Sequence, residues 1–214
     1  MASSSTPNPL LNATSATWDR LIAGVNPPAM LVAIRGMMSQ SLRNRHDADD
    51  VWQETLLHAF RDRASCEWRG IAAFRRWLLE IAKNRVRDLA DGVSAQKRGA
   101  GKEVRFADRE LASGSQSDDH YAGPCGQTTP GRAAADREAA DHFEQALGAV
   151  PEEWREVVRL RLFEDVTLEE IAVRLGLGVE GVRYRFRHGA EAYRRELRRR
   201  RAVEIDTPTP ECAR

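Results

Sequence analysis

The chain has 214 residues, a formal net charge of +1, and 42% apolar against 30% charged side chains. This is room for one large or two small domains in an ordinary soluble globular composition, which by itself excludes no functional class. Its three cysteines, Cys66, Cys125 and Cys212, are odd in number, far apart and without C-x-x-C or His at ligand spacing, which argues against a disulfide framework and against zinc.

Residues 1–26 open with a Ser-, Thr-, Asn- and Ala-rich stretch that has no Lys or Arg before Arg20 and no apolar run. They read as a disordered leader, neither signal peptide nor membrane span, and the chain reads as cytoplasmic without membrane insertion. Pro27 and Pro28 suit a helix start, and Leu31, Ile34, Met38 and Leu42 then recur at helical spacing, predicting one helix over about Ala29 to Leu42. A second helix starts at the Asp47, Asp49, Asp50 cluster, where acidic side chains complement the positive helix end. It buries Val51, Thr55, Leu56, Ala59 and Phe60, and shows Asp49, Asp50, Gln53, Glu54 and an exposed Trp52 on its other face. That face is read either as a plain solvated surface or as a protein-docking one.

A polar loop lies between Arg61 and Ile71, and a third helix follows from Ala72 to about Leu89, with Phe74, Trp77, Leu78, Ile81, Ala82, Val86 and Leu89 as its apolar set. Its other face carries Arg75, Arg76, Lys83, Arg85 and Arg87 against Glu80 alone. A basic face with Trp68 and Trp77 close by has the composition of a surface that holds a nucleic-acid backbone and stacks on unpaired bases, although the spacing of Trp77 also suits a core residue. From 92 to 136 the chain is rich in Gly and Pro, without sustained period and balanced in charge, which predicts a flexible linker. Its Lys97-Arg98-Gly99 could touch DNA or simply be solvated.

Beyond the linker, Ala139, Phe143, Ala146, Leu147 and Val150 mark one helix, and Trp154, Val157, Val158 and Leu162 another. Thr167 can cap a helix from Leu168 to Leu175 while Glu170 reaches back to the cap, with Leu168, Ile171, Ala172 and Leu175 on one face. Gly176 supplies a left-handed turn and Leu177 plugs the corner. The next helix begins near Val179 and turns Val182, Phe186, Gly189 or Ala190, Tyr193 and Leu197 inward, leaving Glu180, Arg183, Tyr184 and Arg187 outward. Helix, glycine turn and arginine-rich helix form the order of a helix-turn-helix DNA reader. From Val179 to Arg201 there are nine arginines against Glu180, Glu191 and Glu196, a local basic footprint in a nearly neutral chain. The plainer reading of Arg194, Arg195 and Arg198 to Arg201 is a solvated, solubilising helix end. Residues 202–214 read as a disordered tail.

The stretch Asp47-Ala48-Asp49-Asp50-Val51-Trp52-Gln53-Glu54-Thr55-Leu56, followed by Phe74-Arg75-Arg76-Trp77-Leu78 and Ile81-Ala82-Lys83-Asn84, resembles conserved region 2 of bacterial RNA polymerase sigma factors of the extracytoplasmic-function type. Leu147-Gly148-Ala149-Val150-Pro151-Glu152, then Val157-Val158-Arg159-Leu160, then Thr167 to Leu197, resembles region 4 of the same family. The order matches as well. By resemblance, Asp49, Asp50, Gln53 and Glu54 dock on core RNA polymerase. Glu67, Trp68 and Arg69 in the loop, with Arg76, Trp77, Lys83, Asn84 and Arg87 on the basic helix, melt and hold the −10 element. Glu180, Arg183, Tyr184 and Arg187 read the −35 element as duplex. Trp52 stands where the family usually has an aliphatic residue, Gly178 replaces the usual Ser or Thr cap, and Gly181 weakens the start of the last helix.

The expected fold is all-α, with a region 2-like helical bundle over 27–91 and a region 4-like helix-turn-helix domain over 137–201 joined by the flexible linker. The expected function is promoter-directed transcription initiation, with core polymerase and promoter DNA as partners, an anti-sigma factor as an open third, and no cofactor or metal. A stand-alone helix-turn-helix regulator is the alternative. No enzyme is expected, because His46, His58, His120, His142 and His188 are scattered with no triad or metal spacing.

Overall fold

The computed structural model describes residues 8–11, 14–99 and 130–206, and among these every regular element is helical. The parts of the expected leader, linker and tail at 1–7, 100–129 and 207–214 lie outside the described residues, as do Cys125, Cys212, His120 and the side chains of Lys97 and Arg98. The described chain divides into two compact units, residues 8–21 with 37–99, and residues 22–36 with 130–206. This division differs from the expected domains, because residues 22–36 are grouped with the C-terminal helices.

The helix α1 (Ser15–Gly24), which belongs to the first unit as far as Leu21, starts where Thr14 caps it, its hydroxyl accepting from Thr17 N–H at 3.3 Å. The expected disordered leader over 1–26 is thus corrected at residues 15–24. Trp18 is buried and meets Phe60 and Phe74 edge-on, with ring centroids 5.2 and 6.0 Å away, an arrangement aromatic quadrupoles favour. Leu10 is fully buried beneath Asn8, whose amide donates to the Cys66 carbonyl at 3.3 Å. The helix expected over Ala29 to Leu42 is two helices, α2 (Pro27–Met37) and α3 (Gln40–Arg43), because Ser39 adopts an extended backbone and serves as the N-cap of the second. Asp47 caps α4 (Ala48–Arg61) by accepting from Asp49 N–H at 3.1 Å. A 3-10 turn at Arg63–Ser65 follows, and then α5 (Ile71–Gly99), which packs on α4 through Phe74, Leu78 and Ala82. The helix runs ten residues past the expected end near Leu89 and through Gly92, which shortens the linker from its N-terminal side; one interior glycine costs only about 1 kcal/mol.

The second unit contains α2, α6 (Pro130–Gly148), α7 (Glu152–Leu162), α8 (Leu168–Leu175) and α9 (Val179–Asp206). The linker expected to reach 136 and the tail expected from 202 are helical at 130–136 and 202–206. Eight consecutive residues of α2, Pro27 to Ile34, are buried, as in a helix enclosed all round. Arg35 ends this run by pairing with Asp141 at 2.6 Å and Glu144 at 3.2 Å on α6. Val157, Leu160, Val166, Ile171, Ala172 and Val182 form the core between α7, α8 and α9. Leu162, one of the residues that mark α7 in the sequence, is exposed.

The turn between α8 and α9 is built by local chemistry. Thr167 and Glu170 form a reciprocal capping box, with Glu170 N–H donating to the Thr167 hydroxyl at 3.2 Å and Thr167 N–H to the Glu170 carboxylate at 3.1 Å. Gly176 is left-handed at φ +63°, and the Leu177 N–H returns to the Ala172 carbonyl at 2.9 Å while the Leu177 side chain packs on the core. The close approach of α7 and α9 depends on Gly189, where a Cβ would sit 2.5 Å from Val158 Cγ2 and 3.0 Å from Trp154 Cβ.

Candidate nucleic-acid interface

Helices α4 and α5 carry the sites expected in the first unit. Asp50 and Gln53 are exposed on α4, but Asp49 is 7% exposed, and Glu54 turns toward α5, where Arg85 Nε donates to its carboxylate at 3.0 Å. Trp52 is also 7% exposed, which corrects its expected exposure: with Ala48, Val51, Thr55 and Ala59 it widens the buried stripe of α4. Leu57, which the sequence pattern did not single out, is 44% exposed. At three, four and seven residues from Glu54, Gln53 and Asp50 it shares their face. An apolar residue at i+7 from an acid, outside the buried period, was the available signal.

The loop and the outward side of α5 bring the second group together. Glu67 and Arg69 are exposed and bound to each other, Arg69 Nη2 donating to both carboxylate oxygens at 2.9 Å. Trp68 and Trp77 are half-buried, and each lies against Phe74, with centroids 6.1 and 6.0 Å away. At 3.6 residues per turn Arg76, Glu80, Lys83, Asn84 and Arg87 fall on one face about 16 Å long. Lys83 pairs with Glu80 at 3.4 Å, Arg87 donates to the Asn84 amide oxygen at 3.1 Å, and Arg76 has no partner among the described residues. Arg85, counted with this basic face in the sequence, points the other way, to Glu54 and to Asp88 at 3.6 Å. Cys66 in this loop is a buried free thiol whose pKa burial pushes up.

The third group lies on the first two turns of α9. Glu180, Arg183, Tyr184 and Arg187 are all exposed, as expected, with Tyr184 at 54%. They are not all free. Arg183 is bonded to Glu180 one turn back and lies 4.0 Å from Glu169 of α8, and Tyr184 leans on His188 with ring centroids 4.2 Å apart. Arg187 has no partner among the described residues. Arg185, inside the same basic run, braces α9 on α7 by donating to the Glu153 carbonyl at 3.2 Å. Among the described residues no three His, Cys, Asp or Glu side chains converge at metal-binding distance, and no helix is long and apolar enough to cross a membrane.

Comparison with known proteins relates the chain to a family. Family models match twice, Sigma-70 region 2 over residues 30–93 and Sigma-70, region 4 over residues 146–194. The RNA polymerase sigma-H factor of Pseudomonas aeruginosa is 30% identical over 164 residues, which cover 77% of this chain and 80% of that protein. The ECF RNA polymerase sigma factor SigW of Bacillus subtilis is 28% identical over 158 residues, 73% of this chain and 79% of its own. The ECF RNA polymerase sigma factor SigE of Mycolicibacterium smegmatis is 27% identical over 151 residues, 71% of this chain and 52% of its own. The first match contains the candidate residues from Asp49 to Arg87, and the second contains Glu180, Arg183, Tyr184 and Arg187.

Proposed function

The chain belongs to the sigma-70 family of RNA polymerase sigma factors, in its extracytoplasmic-function branch, and directs the polymerase to promoters for transcription initiation; on that premise we propose how its three surfaces divide the work. Asp50, Gln53, Glu54 and Leu57 form the face that docks on core polymerase, with Asp49 buried beneath it as a support. An exposed apolar side chain next to exposed acidic and polar ones is a surface that a protein partner can cover. Glu67, Trp68 and Arg69, with Arg76, Trp77, Lys83, Asn84 and Arg87, hold the unpaired strand of the −10 element. The half-exposed indoles supply stacking surface, and the cations meet the backbone. Glu180, Arg183, Tyr184 and Arg187 read the −35 element in the major groove, the Glu180–Arg183 pair engaging as one unit, with the Arg183 fork held by a carboxylate before it meets a guanine edge.

The observation that carries this reading is the occurrence of two matched regions, in the family's order, in a chain whose α9 presents an exposed polar face on a capped helix-turn-helix. The chain itself performs no catalysis, and it acts in the cytoplasm, where core polymerase works. Run-off transcription with purified core polymerase tests it. Added chain should give discrete start sites absent with core alone, and Asp50→Lys should abolish them together with co-purification, since a like charge or an unpaired one at an interface costs several kcal/mol. Discrete starts from the variant at the wild-type level would reject the docking assignment.

A further inference from the structure

The region 4 match stops at residue 194, but α9 continues to Asp206, so the last turns of the helix carry charge that the matched region does not account for. Six arginines fall between 194 and 201, all but Arg194 beyond the match. Two are committed internally, Arg199 to Glu196 at 2.8 Å and Arg200 to Glu196 at 2.9 Å and to Gln145 at 2.6 Å. The other four, Arg194, Arg195, Arg198 and Arg201, are exposed and have no partner among the described residues.

Their spacing is that of a single stripe. At about 100° per residue, Arg194, Arg198 and Arg201 lie within roughly 60° of one another and Arg195 at the margin, in the sector that also holds Arg183 and Arg187. Glu191, Arg194, Arg195 and Arg198 line one open recess on this side. Like charges at i, i+3 and i, i+4 repel one another, and here Glu191 alone interrupts them, so an anionic partner outside the chain would stabilise the stripe. All four are arginine, whose planar fork matches phosphate oxygens in pairs. Length gives the partner its place. From Arg183 to Arg201 the helix advances about 27 Å, more than twice the roughly 12 Å width of a major groove, so a helix whose first turns read base edges carries its last turns over the flanking backbone.

We propose that Arg194, Arg195, Arg198 and Arg201 form a phosphate-binding extension of the reader helix, gripping duplex DNA beside the base pairs read by its first turns. This rests on the assignment of α9 as the duplex reader. The surface adds affinity and salt dependence without adding base preference, since bonds to phosphate position a protein and bonds to base edges specify.

The test uses holoenzyme assembled from the full chain and core polymerase, titrated on a promoter duplex over a series of salt concentrations. Changing all four arginines to Gln should lower the slope of log affinity against log salt by about 3 to 4, at about 0.9 for each phosphate that is no longer neutralised, with the preferred promoter sequence unchanged. The fourfold Arg→Lys variant, which keeps the charge, should retain most of the slope. Circular dichroism checks that α9 remains helical in both. An unchanged slope in the helical Gln variant overturns the proposal, as does a loss of core binding at constant slope, which would make the partner an acidic protein surface. A Gln variant that loses helicity passes the decision to the single Arg198→Gln change, for which a slope reduced by about 1 supports and an unchanged slope overturns. Holoenzyme of the unaltered chain that shows no sequence preference at all would instead reject the reader assignment.

Discussion

Helices α5 and α9 are nearly equal in length, 29 and 28 residues, and both are rich in arginine, yet they hold their charge differently. On α5 the cations are largely engaged, Lys83 by Glu80, Arg85 by Glu54 and Asp88, and Arg87 by Asn84, and two half-buried indoles flank them on Phe74. On α9, Arg187 and the stripe from Arg194 to Arg201 stand without partners among the described residues, and Tyr184 is the one large exposed ring on that face. A surface of few free charges and fixed aromatic planes suits splayed bases; a surface of many free charges suits the high and regular charge of a duplex. What separates the two helices is the number of arginines, nine on α9 against five on α5, together with the supply of internal partners for them.

The contrast breaks most strongly at Trp18. It anchors Phe60 and Phe74, and through Phe74 the planes of Trp68 and Trp77. Trp18→Ala should cost about 3–5 kcal/mol. Hydrogen exchange should show the loss in the amides of α4 and α5 and leave those of α8 and α9 unchanged; equal protection throughout would remove Trp18 from its supporting role. A smaller effect is expected from Trp68→Ala, about 1–3 kcal/mol of base stacking, seen as slower open-complex formation on duplex promoters and partly rescued on a pre-melted one. Permanganate reactivity that develops at the normal rate would show that this indole does no more than pack on Phe74.

The smallest expected effect belongs to the start of α9. Gly178 precedes the helix, its carbonyl accepts the Val182 N–H at 3.0 Å, and a Cβ there would meet nothing within 4 Å. Gly178→Ser supplies the missing cap and should raise the stability of the second unit by a few tenths of a kcal/mol, measured by urea titration, with promoter preference unchanged. A shift in the preferred upstream sequence would mean that the bare N-terminus of α9 itself touches DNA.

The helix-turn-helix was legible because its determinants are local. The Thr167–Glu170 box, the left-handed Gly176 and the plug at Leu177 all lie within eleven residues and need no distant partner. The first unit was less legible because its decisive neighbours are remote in sequence. Trp18 sits in a polar stretch and becomes core only by meeting Phe60 and Phe74, and Glu54 loses part of its availability to Arg85, thirty-one residues away. Trp52 looked exposed because the Val51, Thr55, Ala59 period passes beside it; which flank of an amphipathic stripe is covered is decided by packing. The break before Ser39 has Gly36 as its one local signal, inside an apolar period that runs on to Leu42, and the continuation of α5 through Gly92 overrides such a signal. Of the site residues named from the sequence, all but Asp49 are exposed or half-buried, and internal pairing such as Glu180 with Arg183 remained invisible, since a charge at i, i+3 reads equally as partner or as reader.

The division of labour between α5 and α9 is tested most directly by photocrosslinking in a promoter open complex, with benzoylphenylalanine replacing Asn84 in one preparation and Arg187 in another. Crosslinks from position 84 to the unpaired strand around −10, and from position 187 to duplex around −35, are the expected result. Crosslinks from both positions to one element, or from position 187 to polymerase alone, would contradict it.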